Sequence, residues 1–209
     1  MFSQFPGIGP RQARRFVYYL LTRQNGALEE LAKNVLELKK DVIICTDCMR
    51  FFQKKHADEK VCKICADPNR DTSTLMIVER DVDLESVERN GGFKGVYFVL
   101  GGSIPILEKE PEKRVRLTEL KYFIEKKKAG LEEIILGVNW NPEGENTGDF
   151  VRKFIETTLQ QLDILTASKA QGTQSGKIRI SALGKGLSMG SELEYTDPDT
   201  LKNALKNRV

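Results

Sequence analysis

What this 209-residue sequence lacks narrows the reading before any motif is considered. No stretch approaches the roughly 18 to 20 consecutive apolar residues that cross a bilayer. The N-terminus carries neither the cationic start nor the apolar run of a secretory leader. A cytoplasmic protein is therefore expected. Net charge is small: 33 Lys+Arg against 30 Asp+Glu leave +3, too mild to mark a nucleic-acid binder by itself. There is one histidine, His56, read as a surface residue rather than a ligand, and there is no internal repeat. Cysteine is scarce too, with four in all, but they stand in two close pairs, and in a reducing compartment that arrangement favours metal ligation over disulfides.

Acid is missing from the whole first stretch. The first carboxylate is Glu29, while Arg11, Arg14, Arg15 and Arg23 precede it, so an anionic partner is expected at this end. Phe5-Pro-Gly-Ile-Gly-Pro10 reads as a rigid turn opening a helix from Arg11 to about Thr22. Beyond Asn25-Gly26, Leu28, Leu31, Ala32, Val35 and Leu36 recur at helical spacing, which predicts a second helix over about 27–40. The turn with its helix has the form of a helix-hairpin-helix element, in which amides at the helix N-terminus face a phosphate and Gly7 and Gly9 allow close backbone approach. Arg11, Arg14 and Arg15 are the candidate DNA-binding side chains. A plain glycine turn in a helical bundle is the alternative.

Cys45-x-x-Cys48 and Cys62-x-x-Cys65 are two knuckles whose thiolates complete a tetrahedron around one ion. Four sulfurs leave no open position, so one structural Zn2+ per chain is expected, against the alternative of two disulfides or idle thiols. The segment 41–70 is too short and charged to hold itself together by an apolar core, which is the reason to expect a metal there.

From Thr74 onward the pattern changes to buried strands, Thr74 to Val78, Gly95 to Leu100, Glu133 to Val138 and Leu162 to Ala167. Helical segments near 82–90, 117–129 and 146–160 alternate with them, which argues for an α/β fold with a mainly parallel sheet. A polar loop, Ser168 to Gly176, leads to a further strand at Ile178 to Ala182, and a tail helix is expected after Asp199. Glu79, at the end of the first strand, and Glu143 with Glu145, after a later one, lie where open α/β sheets place their sites. They could hold Mg2+ in an oxygen site, or be solvated loop acids. Gly101-Gly102 after a strand permits close packing but names no ligand.

Taken in order, Phe5 to Arg11, the cysteine segment ending Cys65-Ala-Asp-Pro-Asn-Arg-Asp71, Val78-Glu79, Tyr97 to Gly102, Asn139 to Glu145 and Gly186 to Tyr195 resemble the RecR family of bacterial recombination mediators over nearly the whole chain. The resemblance implies a helix-hairpin-helix region over 1–40, a four-cysteine zinc finger over 41–70, a Toprim domain over 71–175, and a Walker B-like segment with a tail helix over 176–209. It implies a ring-forming DNA clamp, a homotetramer in the family, with a dimer also open here. With RecO-type and RecF-type partners the family promotes loading of the recombinase RecA onto single-stranded DNA. By position, Arg11 and Arg15 match the family's DNA-contacting residues and the four cysteines its zinc ligands. Glu79 matches the lead Toprim glutamate, and Glu143 and Glu145 the acids linked to RecO binding. Toprim enzymes carry an Asp-x-Asp pair where this sequence has Asn139 and Asn141, which favours a binding surface over catalysis. The alternative reading is a Mg2+-dependent Toprim enzyme acting on nucleic-acid phosphodiesters through Glu79, Glu143 and Glu145. Lys185 and Ser188 replace a more usual Arg and Pro, and Met1 to Gln4 stand where the family carries a helix.

Overall fold

A computed structural model describes residues 1–23, 26–167 and 178–184, together with Pro198 and Thr200. The chain divides into two compact units, one of Met1–Ile43 with Gln53–Ala57, the other of Ile44–Phe52 with the residues from Asp58 onward.

The first unit is helical. A 3-10 turn, Phe2–Gln4, precedes α1 (Pro10–Leu21) and α2 (Ala27–Asp41). Helix α1 starts as its sequence dictates, with Gly9 as N-cap and Pro10 at the first position, where proline's missing N–H is no loss. Helix α2 begins with a Glu29 carboxylate accepting from the Gly26 amide at 2.6 Å, and Glu29 and Glu30 in its first turn and Lys39 and Lys40 in its last are placed in the sense the helix dipole favours. No described residue of this unit is buried.

Two three-residue strands, β1 (Val42–Ile44) and β2 (Phe51–Gln53), pair as a ribbon. The second unit is then built on β3 (Asp71–Val78), α3 (Asp81–Asn90), β4 (Gly95–Val99), α4 (Leu117–Lys127), β5 (Glu133–Gly137), α5 (Pro142–Ala167) and β6 (Arg179–Ala182). The sheet order is β4-β3-β5-β6 and every pairing is parallel, as the strand and helix alternation predicts.

Alternation along the strands sorts two apolar layers. Leu75, Ile77, Phe98, Ile134 and Leu136 join Leu120, Phe123 and Ile124 of α4 and Val151 and Ile155 of α5 in one cluster. Met76, Val78, Tyr97 and Val99 join Leu84 of α3 with Cys45, Cys48, Cys62 and Ile64 in the other. The two cysteine knuckles are therefore packed into the second layer. The metal knuckles and the sheet share one apolar cluster, so the segment's lack of a core of its own is met by the strands it covers.

The expected strand at Leu162 to Ala167 is the last part of α5. Val151, Ile155, Leu159 and Leu162 continue one helical stripe, and a stripe already packed on the core carries the short apolar run with it. The fourth strand of the sheet is instead β6, where the further strand over Ile178 to Ala182 is expected. The loop 168–176, the segment around Gly186 to Tyr195 and the tail helix lie outside the described residues. Among the described residues no helix is long and apolar enough to cross a membrane.

Candidate functional site: a cysteine cluster, a closed crevice and a basic helix start

The four cysteine sulfurs lie within 4.8 Å of one another. Cys45, Cys48 and Cys62 are buried and Cys65 is half-buried. The Cys48 and Cys62 sulfurs are 3.6 Å apart, and a tetrahedral ion with bonds of about 2.3 Å holds its sulfurs roughly 3.8 Å apart. Spacing and donor set thus fit a closed four-coordinate ion and are compatible with a zinc module. Each knuckle is closed by its own backbone, Met49 N–H donating to the Cys45 carbonyl at 3.1 Å and Ala66 N–H to that of Cys62 at 3.0 Å.

The first knuckle is gripped from the sheet. Val99 N–H donates to the Cys48 carbonyl at 2.8 Å, and the Arg116 guanidinium donates to the carbonyls of Met49 and Val99. Gly101, at φ 92°, leaves room for that guanidinium, since a Cβ there would lie 3.1 Å from it. This is the use of the glycine pair that the sequence left unassigned. Met49 itself is left-handed, at φ 61°, uncommon for a residue with a Cβ. Lys126 pairs with Asp47 at 3.0 Å and the Asp81 carboxylate accepts from Phe51 N–H at 2.7 Å. Behind the second knuckle, Asp67 folds a turn by accepting from the Asn69 amide, and Arg70 reaches Glu88 at 2.5 Å. Glu88 also accepts from the buried Tyr97 hydroxyl at 3.0 Å. Arg70, with Tyr97 second, holds Glu88 below the usual carboxylate range; burial first, and then Glu88, pushes Tyr97 up.

The sheet's switch point, where the connections from β3 and β5 run toward opposite edges, lies at the C-terminal ends of β3 and β5, and open α/β sheets bind ligands there. Because Val78 and Gly137 are register partners, Glu79 and Asn139 emerge side by side. Glu79 is 3 % exposed. Its Oε1 accepts from the Asn139 backbone N–H at 3.0 Å and its Oε2 from Asn139 Nδ2 at 2.5 Å. Asn141 Oδ1 accepts from Gly144 N–H at 2.7 Å and so caps α5, with Pro142 at its first position. Gly144 closes the loop: a Cβ there would lie 2.1 Å from the Asn139 carbonyl oxygen and 2.9 Å from Glu79 Oε1. Glu143 and Glu145 are exposed on the first turn of α5. Glu79, expected to share an acidic face with them, is instead shut beneath the loop. Nearby, the Thr147 hydroxyl accepts from Ile104 N–H at 2.8 Å and donates to the Glu143 carbonyl at 2.7 Å, fastening the loop after β4 to α5.

In the helical unit, Gly7 takes a left-handed turn at φ 77°, and no atom lies within 4 Å of where a Cβ on Gly7 or Gly9 would stand. Arg11, Arg14 and Arg15 are exposed, and their i, i+3, i+4 spacing puts them on one face. The first turn of α1 contains no acid. Arg15 donates to Gln12 at 3.2 Å, and Arg23 stacks on the Tyr19 ring at 4.1 Å. His56 is exposed and takes no part in the cysteine cluster.

Comparison with known proteins covers these regions separately. Residues 1–38 match the RecR helix-hairpin-helix family, 73–165 the Toprim domain and 186–209 the RecR C-terminal family. The recombination protein RecR of Rickettsia typhi is 32% identical over 210 residues, spanning 100% of this chain and 92% of its own. That of Lactobacillus acidophilus is 31% identical over 208 residues with the same coverage. That of Herpetosiphon aurantiacus is 34% identical over 207 residues, 99% of this chain and 89% of its own. With two family-specific regions flanking a Toprim sheet, and agreement running from end to end, the chain belongs to the RecR family of recombination proteins.

Proposed function

We propose that this protein is a non-catalytic recombination mediator that binds DNA through the start of α1 and, with RecO-type and RecF-type partners, promotes recombinase loading onto single-stranded DNA. The observation that carries the reading is the exposed, acid-free face of Arg11, Arg14 and Arg15 on the first turns of α1, behind the left-handed Gly7. Amides at a helix start together with arginine side chains hold phosphates without reading sequence, as a mediator requires. Gly7 and Gly9, open on the side a Cβ would occupy, allow the backbone itself to approach the strand.

Apolar side chains exposed on both helices, among them Tyr18, Leu21, Val35 and Leu36, support assembly into a ring of several copies. The ion in the cysteine cluster is read as Zn2+, one per chain, because an all-sulfur tetrahedral site suits it and leaves no position for a substrate. Glu143 and Glu145, exposed on α5, form the partner-facing acids, and Glu79 is assigned no direct contact.

The test is binding of single-stranded and duplex oligonucleotides across a salt series. Arg11→Ala/Arg15→Ala should weaken binding to both and flatten the slope of log affinity against log salt by about 2. Unchanged affinity and slope would remove this surface from the proposal.

A further inference from the structure

We infer that Asn139 takes the place of a divalent cation in this Toprim crevice, so that a buried amide latch rather than a metal shapes the loop bearing the partner-facing acids. The inference deepens the reading of this crevice as a non-hydrolytic binding site and rests on it. A Toprim sheet implies a Mg2+ ion held by the glutamate at the end of its first strand and by acids beyond a later one, and the donors here do not fit that ion. Mg2+ binds through oxygens, commonly one or two carboxylates. Among the described residues the one carboxylate in the crevice's buried part, Glu79, has each of its oxygens taken by an N–H of Asn139. The side-chain oxygen of Asn141 is committed to the Gly144 amide. Gly144 lies so close over Glu79 that even a methyl group would strike the Asn139 carbonyl.

The amide does what the cation would do electrostatically. It sets hydrogen-bond donors against a carboxylate otherwise buried without compensation, and a buried charge with no such partner is strongly disfavoured. It also fixes direction. Asn139 to Gly144 forms a closed turn whose last residues begin α5, so Glu143 and Glu145 are presented from a frame anchored on β3. Glu79 is thereby a positioning residue: it holds the loop and touches no partner.

The inference makes the cation requirement switchable. Asn139→Asp puts a second carboxylate against Glu79 Oε2, leaving two acids that only a cation can bridge. Its melting temperature should fall by on the order of 5 °C in chelator-free buffer without Mg2+ or Mn2+ and recover when either is added at millimolar concentration, while the unaltered protein melts at the same temperature in both. The reversed pair, Glu79→Gln/Asn139→Asp, restores both bonds, with the glutamine oxygen accepting from the backbone N–H and its amide donating to the aspartate. It should melt near the unaltered protein with or without cation.

The unaltered protein is decisive even where a variant does not fold. If Mg2+ or Mn2+ raises its melting temperature, the crevice binds a cation and the inference is overturned. A variant Asn139→Asp that melts normally without added Mg2+ or Mn2+, or that melts early and is not rescued by them, overturns it equally. The mediator reading fails on a separate result, Mg2+-dependent turnover of oligonucleotides lost in Glu79→Gln; stabilisation by cation without turnover sinks only the inference made here.

Discussion

The two units of the chain solve folding differently. The helical unit buries none of its described residues, and leaves Phe16, Tyr18, Tyr19 and Leu21 of α1 and Val35, Leu36 and Leu38 of α2 exposed to between 44% and 75%. Its helices, of 12 and 15 residues, are of a length that is marginal in isolation. The sheet unit encloses Leu75, Ile77, Phe98, Leu120, Ile134 and Ile155 almost completely, adds the cysteine cluster, and leaves no described buried side-chain nitrogen or oxygen unpaired. The sheet unit is closed by residues of its own, while the helical unit leaves apolar side chains exposed, the surface that the proposed assembly and DNA binding would use.

The division is broken most forcefully from the core. Phe98→Ala, at a side chain enclosed between sheet and α4, should lower stability by about 3 to 5 kcal/mol in urea unfolding. Leu36→Ala, on the exposed face of α2, should cost less than about 0.5 kcal/mol at dilutions where the chain is a monomer. A cost of several kcal/mol for Leu36→Ala that grows with protein concentration would show the face already covered by another copy. Next in size is the metal. Chelation or Cys62→Ser should release one zinc per chain by elemental analysis and lower the melting temperature of the sheet unit, with the helical content of α1 and α2 unchanged. Arg116→Ala leaves the Met49 carbonyl without its donor and should cost about 1 to 3 kcal/mol.

Acid supplies a smaller effect. Glu88 has its pKa depressed by Arg70 and Tyr97, so its contribution is fully present above the unfolded carboxylate value near 4.3 and is lost as pH falls through the lower folded value. Stability of the unaltered protein should therefore drop more steeply below about pH 4 than that of Glu88→Gln, measured by urea midpoints across pH. Smallest of all, Arg11→Ala/Arg15→Ala should leave the unfolding midpoint within about 0.5 kcal/mol of the unaltered protein while weakening DNA binding.

Local signals in the sequence carried much of this structure. The cysteine spacing, the turn before α1, the helical stripe of α2 and the four strands of the parallel sheet are each written within a dozen residues, where periodicity and turn chemistry act. The misplaced strand at Leu162 to Ala167 shows the limit of short apolar runs, since what decided it was the stripe beginning at Val151. The contacts of Arg116 and Asn139 were illegible for a different reason. Their partners lie 67 and 60 positions away, and only the tertiary fold brings them together. Glu79 was legible as important and misleading as to how, because sequence gives its place at a strand end and not the loop that folds over it.

The hydrogen bond from Val99 to the Cys48 carbonyl reaches beyond the cysteine knuckle it supports. β4 is an outer strand of the sheet, and its free side would offer unpaired amides to any neighbouring chain. The first cysteine knuckle lies along that side and occupies the Val99 donor. Losing the ion would then do more than loosen a turn: it would uncover a strand edge rich in Val and aromatic residues, and chain-to-chain pairing, not simple unfolding, would be the first visible consequence.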